Sequence, residues 1–273
     1  MRLIDLEHLG REHVIGAWLV GDVLVDPGPG STLDTLLAGL DGEVPRIIAL
    51  THIHLDHAGA TGALCERWPD AEVWVHERGA RHLIDPAKLM ASAGRLYGDD
   101  MARLWGEMRP VPADRIRILG EGRTEDFRHA ATPGHASHHL GYLHEPTGTL
   151  FAGDTAGIRV QGGPTLGATP PPDIDLEAWM ESIALFRSWE PDRVVPTHFG
   201  VFEDVGGHLD ALEAWFDTWG RPARELDEAQ WVAEHHTWLA ARAEPAVVDA
   251  LEQAAPPEQC YAGLARYWSK RAG

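Results

Sequence analysis

Residues 51–57 read Thr-His-Ile-His-Leu-Asp-His, which places three imidazoles and a carboxylate within six positions. Neutral imidazole nitrogen and carboxylate oxygen together make a good donor set for Zn²⁺, Fe²⁺ or Mn²⁺. A chain with 16 histidines in 273 residues could also produce such a run as an exposed polar turn. Three other segments decide the matter, because each offers the same donor types after a short apolar run. "FRHAATPG" leads into His135, "TLFAG" into Asp154 and "RVVPT" into His198, as "IIAL" leads into His52, His54, Asp56 and His57. In layered α/β folds the loops leaving the carboxyl ends of strands line the ligand crevice. Four strand ends therefore deliver five histidines and two aspartates to one place. One tetrahedral ion takes fewer donors than that, so two cations sharing a bridging carboxylate is the economical arrangement. A pair roughly 3.5–4 Å apart generates a bridging hydroxide at neutral pH and polarises a substrate oxygen. Such a centre needs no serine or cysteine nucleophile, and no Gly-x-Ser-x-Gly or Cys/His pattern competes for the role.

The elements that must carry these residues are legible in the apolar pattern. "AWLVGDVLVDPGPG" reads as two strands around Gly21-Asp22 closed by a Pro/Gly loop. Ile47 to Leu50 form a buried strand too short for a helix. "GATGALCERWP" reads as a short helix and "AEVWVHE" as another strand. Residues 79–110 interrupt the alternation with helical composition, which predicts an insertion acting as a lid, a partner surface or plain packing. Strands resume in "IRIL", "GYLHE" and "GTLFAGD". Leu176, Trp179, Met180 and Ile183 stand at i, i+3, i+4 and i+7, with Asp175 placed to cap their helix. From Gly207 onward the spacing is helical, and the Trp/Tyr-bearing helices there are read as core or as a homodimer surface. Strands alternating with helices predict an α/β layered fold.

The motifs Thr-His-x-His-x-Asp-His at 51–57, Pro-Gly-His at 133–135, Gly-Asp-Thr at 153–155 and Thr-His-Phe-Gly at 197–200 resemble, in order, the ligand motifs of the metallo-β-lactamase-fold hydrolases. The resemblance covers roughly residues 1–205. It implies a four-layer αβ/βα sandwich with a dinuclear site at one edge, to which the helical composition adds an insertion at 79–110 and a C-terminal extension at 206–273. It assigns His52, His54 and His135 to one metal, Asp56, His57 and His198 to the other, and Asp154 as the bridge. Asp56 would also orient or deprotonate the attacking water. Zinc is the first choice of metal, with iron and manganese as alternatives. Asp154 stands where the best-known β-lactamases place a cysteine. The glyoxalase II proteins share the histidines and the aspartate, yet their C-terminal basic substrate-binding motif is not matched, and their Gly-His-Thr-x-Gly-His pattern becomes "GHASHH" at 134–139, with His138 read at the second histidine and Ser137 in place of the glycine.

Composition narrows the function further. The formal charge of −19 opposes phosphate capture, so a nuclease is disfavoured and no nucleic-acid partner is expected. No apolar run approaches the roughly 18 residues of a membrane span, and the first twenty residues carry acids where a signal peptide places its apolar segment. Two distant cysteines, Cys65 and Cys260, fit a reducing cytoplasm. The leading expectation is a cytoplasmic metal-dependent hydrolase of a small ester, thioester, lactone or phosphoester. The alternative is an iron-dependent oxidoreductase resembling the persulfide dioxygenases, with a single iron. Asp26 is read as a support for a ligand histidine, His138 as orienting a ligand and His76 as structural. His8, His13, His129, His144, His208, His235 and His236 are read as unrelated to the site. Tyr97, Trp105, Arg109 and Arg159 are candidate substrate contacts, and residues 157–174 a second pocket wall whose loop 162–172 hinges at its glycines.

Overall fold

A computed structural model describes residues 1–271. Its inner strands alternate their side chains between two buried faces, which explains why they read as continuous apolar runs rather than as half-polar ones. In β2 (Gly16–Val20) Trp18 and Val20 point one way while Ala17 and Leu19 point the other, and β3 (Val23–Val25), β4 (Ile47–Ala49) and β5 (Glu72–His76) repeat the pattern. With β1 (Arg2–Asp5) and β6 (Ile116–Leu119) they form a six-stranded sheet in sequence order, parallel from β3 to β6. The second sheet has the order β11-β10-β9-β8-β7, built from β7 (Gly122–Thr124), β8 (Phe127–Ala131), β9 (Leu140–His144), β10 (Thr149–Phe151) and β11 (Arg193–Val195).

Trp18, Ile47 and Trp74 of the first sheet meet Phe127, Tyr142 and Phe151 of the second in a core between the sheets. The Tyr142 hydroxyl donates to Leu50 O at 2.9 Å and Leu140 N to Thr51 O at 2.7 Å, so the sheets are also stitched together beside the His-rich stretch. The outer faces are covered by helices: α1 (Leu33–Leu40), α3 (Thr61–Arg67) and α4 (Glu77–Ile84) on the first sheet, and α7 (Leu176–Ser188) on the second. This is the four-layer αβ/βα sandwich that the motifs imply. α7 is capped as its sequence predicts, Asp175 accepting from the Glu177 and Ala178 amides.

β1, β7 and α1 escape the sequence reading, which stops at the Pro/Gly loop just before α1. The insertion is helical over α4, α5 (Ala87–Tyr97) and α6 (Met101–Leu104), whereas residues 105–110 are irregular. The tail comprises α8 (Val205–Trp215), a π-turn at Phe216–Gly220, and α9 (Glu228–Ala240), α10 (Pro245–Ala254) and α11 (Pro257–Arg271). Its aromatics are largely core, as Trp215, Trp219, Trp231 and Tyr267 are buried. Gly263 of α11 packs so closely on the 169–172 loop that a Cβ would lie 1.9 Å from Thr169 O, which fixes the tail against the rest of the chain. No described helix is long and apolar enough to cross a membrane.

His235 stacks on Trp231 with ring centroids 4.8 Å apart and accepts from Trp215 Nε1 at 3.2 Å. Burial pushes its pKa down to about 4. Its unfolded value is the ordinary 6.5, so the unfolded chain binds the proton first as pH falls. Stability present above pH 6.5 is therefore lost on the way down to pH 4. Urea unfolding should show His235→Gln, which keeps an acceptor but cannot titrate, losing about 2 kcal/mol less than wild type between pH 7 and pH 5. Parallel losses in the two proteins would refute this account.

Candidate metal centre

All seven donors predicted from the sequence converge at the ends of the two sheets. After β4 the chain turns into the single-turn α2 (Leu55–Ala58), which carries Asp56 and His57 and follows directly on His54. His135 follows β8, Asp154 lies in a 3₁₀ turn after β10 and His198 follows β11. Gly134 sets the approach to His135. It has a φ of +139°, and a Cβ there would stand 2.5 Å from Trp179 Cα, so the strand end lies flat against α7.

The donors form two groups. In the first, His54 Nδ1 is 3.0 Å from His52 Nε2 and 2.9 Å from His135 Nε2. His135 Nδ1 donates to Ala168 O at 2.7 Å, leaving the Nε2 lone pair inward. The Thr51 hydroxyl spends its proton on Asp26 Oδ2 and so accepts from His52 Nδ1, leaving that Nε2 lone pair inward too. Two lone pairs thus meet a third nitrogen, an arrangement that a cation satisfies. In the second group His198 Nε2 lies 3.3 Å and His57 Nε2 3.7 Å from Asp56 Oδ2. Their Nδ1 atoms are spoken for, His198 donating to Val14 O at 2.6 Å and His57 to Asp26 Oδ2 at 2.8 Å. His57 Nε2, His198 Nε2 and Asp154 Oδ1 are buried and take part in no hydrogen bond among the described residues. Native interiors rarely leave such atoms unpartnered, and a shared metal ion is what these donors fit.

Asp154 joins the groups. Its Oδ1 is 3.3 Å from His57 Nε2 and 3.6 Å from His198 Nε2, while its Oδ2 is 3.4 Å from His135 Nε2. The electrostatics agree. Burial keeps His52 and His135 below the ordinary imidazole range and, with His135 beside it, His54 down to about 3. At His57 burial again opposes the charge, yet Asp154, Asp56 and Asp26 together outweigh it and raise the pKa well above the ordinary value. Burial also disfavours the charged carboxylates, but His57 and its neighbours hold both Asp56 and Asp154 well below the carboxylate range. Positive charge is thus favoured at His57 and His198, beside the carboxylates, while His52, His54 and His135 are kept neutral with lone pairs free to ligate.

Asp26 supports the centre as expected, and through more contacts than the sequence suggests. It accepts from Thr51 N, Thr51 Oγ1, His57 Nδ1 and Thr197 Oγ1, all within 2.9 Å. The neighbouring histidines correct the reading of "GHASHH". His139, not His138, stands at the second histidine of the glyoxalase pattern. It is fully buried, bonds Thr132 Oγ1 through Nδ1 and stacks on His52 with centroids 5.0 Å apart. His138 instead lines the cleft in front of the donors. That cleft has a volume of about 710 Å³ and is floored by His54, Asp56, His135 and Asp154. Tyr97 and Trp105 line it, whereas Arg109 pairs with Glu66 and Glu107 on the surface and Arg159 stacks on Phe202. His8, read as unrelated, also lines the cleft, its Nε2 bonding Leu104 O at 2.8 Å beside the Trp105 ring. His76 is structural, its Nδ1 accepting from the Arg78 amide to cap α4. Of the wall expected from 157–174, only Ala168 and residues 170–173 reach the cleft, because Ile158 and Leu166 pair and close the loop between them.

A two-sheet sandwich with His and Asp donors gathered at its strand ends defines a metal-binding αβ/βα protein. The chain belongs to the metallo-beta-lactamase superfamily, whose family model matches residues 16–198. The metallo-beta-lactamase fold-containing protein ST1585 of Sulfurisphaera tokodaii is 31% identical over 190 residues, covering 66% of this chain and 69% of that protein. The crystal structure of ST1585 has a TM-score of 0.70 at 22% identity, over 96% of this chain and 97% of that one, which shows the fold. A hydroxyacylglutathione hydrolase of Hamiltonella defensa is 29% identical over 164 residues, covering 57% of this chain, and the match spans only 51% of that enzyme's length. TTHA1623, solved in a di-iron-bound form, has a TM-score of 0.57 at 30% identity over 72% of this chain and 93% of its own.

Replacing Asp26 with asparagine removes an oxygen that orients His57 and, through Thr51, His52. Competition with a chelating indicator should show metal affinity weakened about 10–100-fold. An affinity unchanged in Asp26→Asn would mean that the histidines are oriented without it.

Proposed function

We propose that the protein is a metal-dependent hydrolase of a small ester or thioester, with lactones and phosphoesters within reach of the same chemistry. The observation that carries this reading is Asp154, whose two carboxylate oxygens face different histidine groups. His52, His54 and His135 would hold one divalent cation, Asp56, His57 and His198 a second, and Asp154 both. When bound, such a pair supplies an activated water at neutral pH and a Lewis acid for the substrate's carbonyl or phosphoryl oxygen. Zinc suits the donors, and so do manganese and iron, the metal of the di-iron relative.

The chain's own residues supply orientation. Asp56 turns Oδ2 to His198 and His57 and also lines the cleft. In this role Oδ1 accepts from the attacking water and aims its lone pair at the carbonyl carbon. The carbon–oxygen or carbon–sulfur bond then breaks, and the water's proton ends on the departing atom. The cleft is of a size that suits a small molecule. The hydroxyacylglutathione hydrolases among the relatives support an acyl substrate. The buried free thiols of Cys65 and Cys260 support a reducing compartment such as the cytoplasm. The net charge of −19 disfavours nucleic acid as substrate. A single-iron oxidoreductase would leave one histidine group and one Asp154 oxygen without use, which favours the hydrolase.

Metal analysis of protein purified without added metal should find two divalent ions per chain, with loss in His54→Ala. Asp56→Ala should lower kcat by about 10²–10⁴-fold on an ester and thioester panel. A single iron per chain, with oxygen-dependent turnover, would overturn the reading.

A further inference from the structure

The cleft has two unlike ends. α5 turns Lys88, Leu89, Ser92, Ala93, Leu96 and Tyr97 towards it, so one face of this helix runs along its length. At 1.5 Å per residue, Lys88 and Leu96 stand about 12 Å apart along the axis. The Leu96 end meets Leu104 and Trp105 of the insertion and Ala254 to Pro256 of the tail; it is apolar but for His8, Asp100, Gln253 and Gln259, which bond to one another or to neighbouring groups. The Lys88 end meets α4, whose Arg78, Arg81 and His82 also line the cleft, at i, i+3 and i+4 on one helix face.

Arg78, Arg81 and Lys88 are among the cations that pair with no carboxylate among the described residues, and unlike Arg67, Arg95, Arg193, Arg266 and Lys270 they line the cleft. Arg46, Arg103, Arg109 and Arg187 each pair with a carboxylate. Arg78, Arg81 and Lys88 take part in no salt bridge among the described residues, and Arg81 Nε bonds the neighbouring His82 ring. Burial and then the charges of Arg81 and Lys88 lower the His82 pKa, so the two cations act on one spot. The carboxylates of the cleft are engaged elsewhere: Asp56 and Asp154 with the histidines, Asp100 with Arg103, and Asp173 with the Ser137 hydroxyl. A chain of net charge −19 thus keeps three unpaired cations within eleven positions, all facing its one donor-floored cleft.

We propose that Arg78, Arg81 and Lys88 form a docking end for an anionic group, a carboxylate or a phosphate, on one arm of the substrate, while an apolar arm lies along Leu96 and Trp105. This rests on the hydrolytic reading above and narrows it to a substrate class: an ester or thioester with one apolar and one anionic arm. The scissile carbonyl sits between them, over Asp56 and Asp154. An arginine fork matches either anion in bidentate fashion, and Lys88 adds a point charge.

The test compares thioesters on the metal-loaded full chain. Three share a 3-phenylpropanoyl group and differ in the thiol: 3-mercaptopropionate, 2-mercaptoethyl phosphate and the neutral 3-mercaptopropionamide. A fourth, the monothioester of succinate with 2-phenylethanethiol, carries the charge on the acyl arm. Wild type should prefer a charged probe over the neutral one by at least about tenfold in kcat/KM, through KM, with the preference fading at high salt. Comparison of carboxylate with phosphate identifies the anion. In Arg78→Gln/Arg81→Gln/Lys88→Gln the ratio of charged to neutral rates should collapse towards one. A direct binding readout runs beside it, calorimetry with the non-hydrolysed amide N-(3-phenylpropanoyl)-β-alanine, which should bind the triple variant about tenfold more weakly. Hydrolysis without charge preference, or a preference that survives in the triple variant, overturns the subsite and leaves the hydrolase standing. No hydrolysis of any probe, with amide binding that depends on the three cations, overturns the hydrolase and leaves the subsite.

Discussion

The Asp26 carboxylate is the point on which the rest of the centre depends. It is almost fully buried, and a buried charge is tolerable only when its lone pairs are filled by well-placed donors. Here the donors come from three places: the end of β4, the helix turn bearing His57, and the end of β11 in the opposite sheet. The need to satisfy one carboxylate therefore locks two sheets and a helix turn in register. Asp26 itself sits at a φ of +47°, a conformation that non-glycine residues adopt sparingly and that only a well-determined surrounding maintains.

The centre is ordered from behind and left open in front. Behind it, protein groups consume the Nδ1 protons: Ala168 O for His135, Val14 O for His198, Asp26 for His57 and the Thr51 hydroxyl for His52. Each bond chooses a tautomer and aims the opposite nitrogen inward. In front, the walls come from segments that contribute no donor atoms, α4, α5 and the start of α11. Donor chemistry and pocket shape are thereby assigned to different parts of the chain, so one can vary while the other stays constant.

That division also explains what could be read in the sequence. The donors sit in short motifs directly after apolar strands, so residue type and strand polarity sufficed to gather His52, His54, Asp56, His57, His135, Asp154 and His198 into one place. The layered α/β class followed from strands alternating with helices, and the four-layer arrangement from the resemblance of the ligand motifs. What supports the donors was only partly legible, because Ala168 and Val14 act through backbone carbonyls that no side chain advertises. His139 was hidden by a neighbour of the same type, and burial rather than identity separates it from His138. β1, β7 and α1 were missed because their lengths are short or their helix opens straight from a Pro/Gly turn. The cleft walls were the least legible part: His8 reaches the site only because residues more than ninety positions away fold over it, and its bond to Leu104 O has no trace in local pattern.

The roof of the cleft joins segments very far apart along the polypeptide. Gln253 of α10 donates to His8 O at 2.9 Å across 245 positions, whereas the last donor, His198, lies some fifty residues before that glutamine. During synthesis all seven candidate donors therefore leave the ribosome before the side of the cleft that α10 and the start of α11 supply. A nascent chain thus passes through an interval in which every donor is present while one side of the cleft, the side held to His8 by Gln253, is still missing.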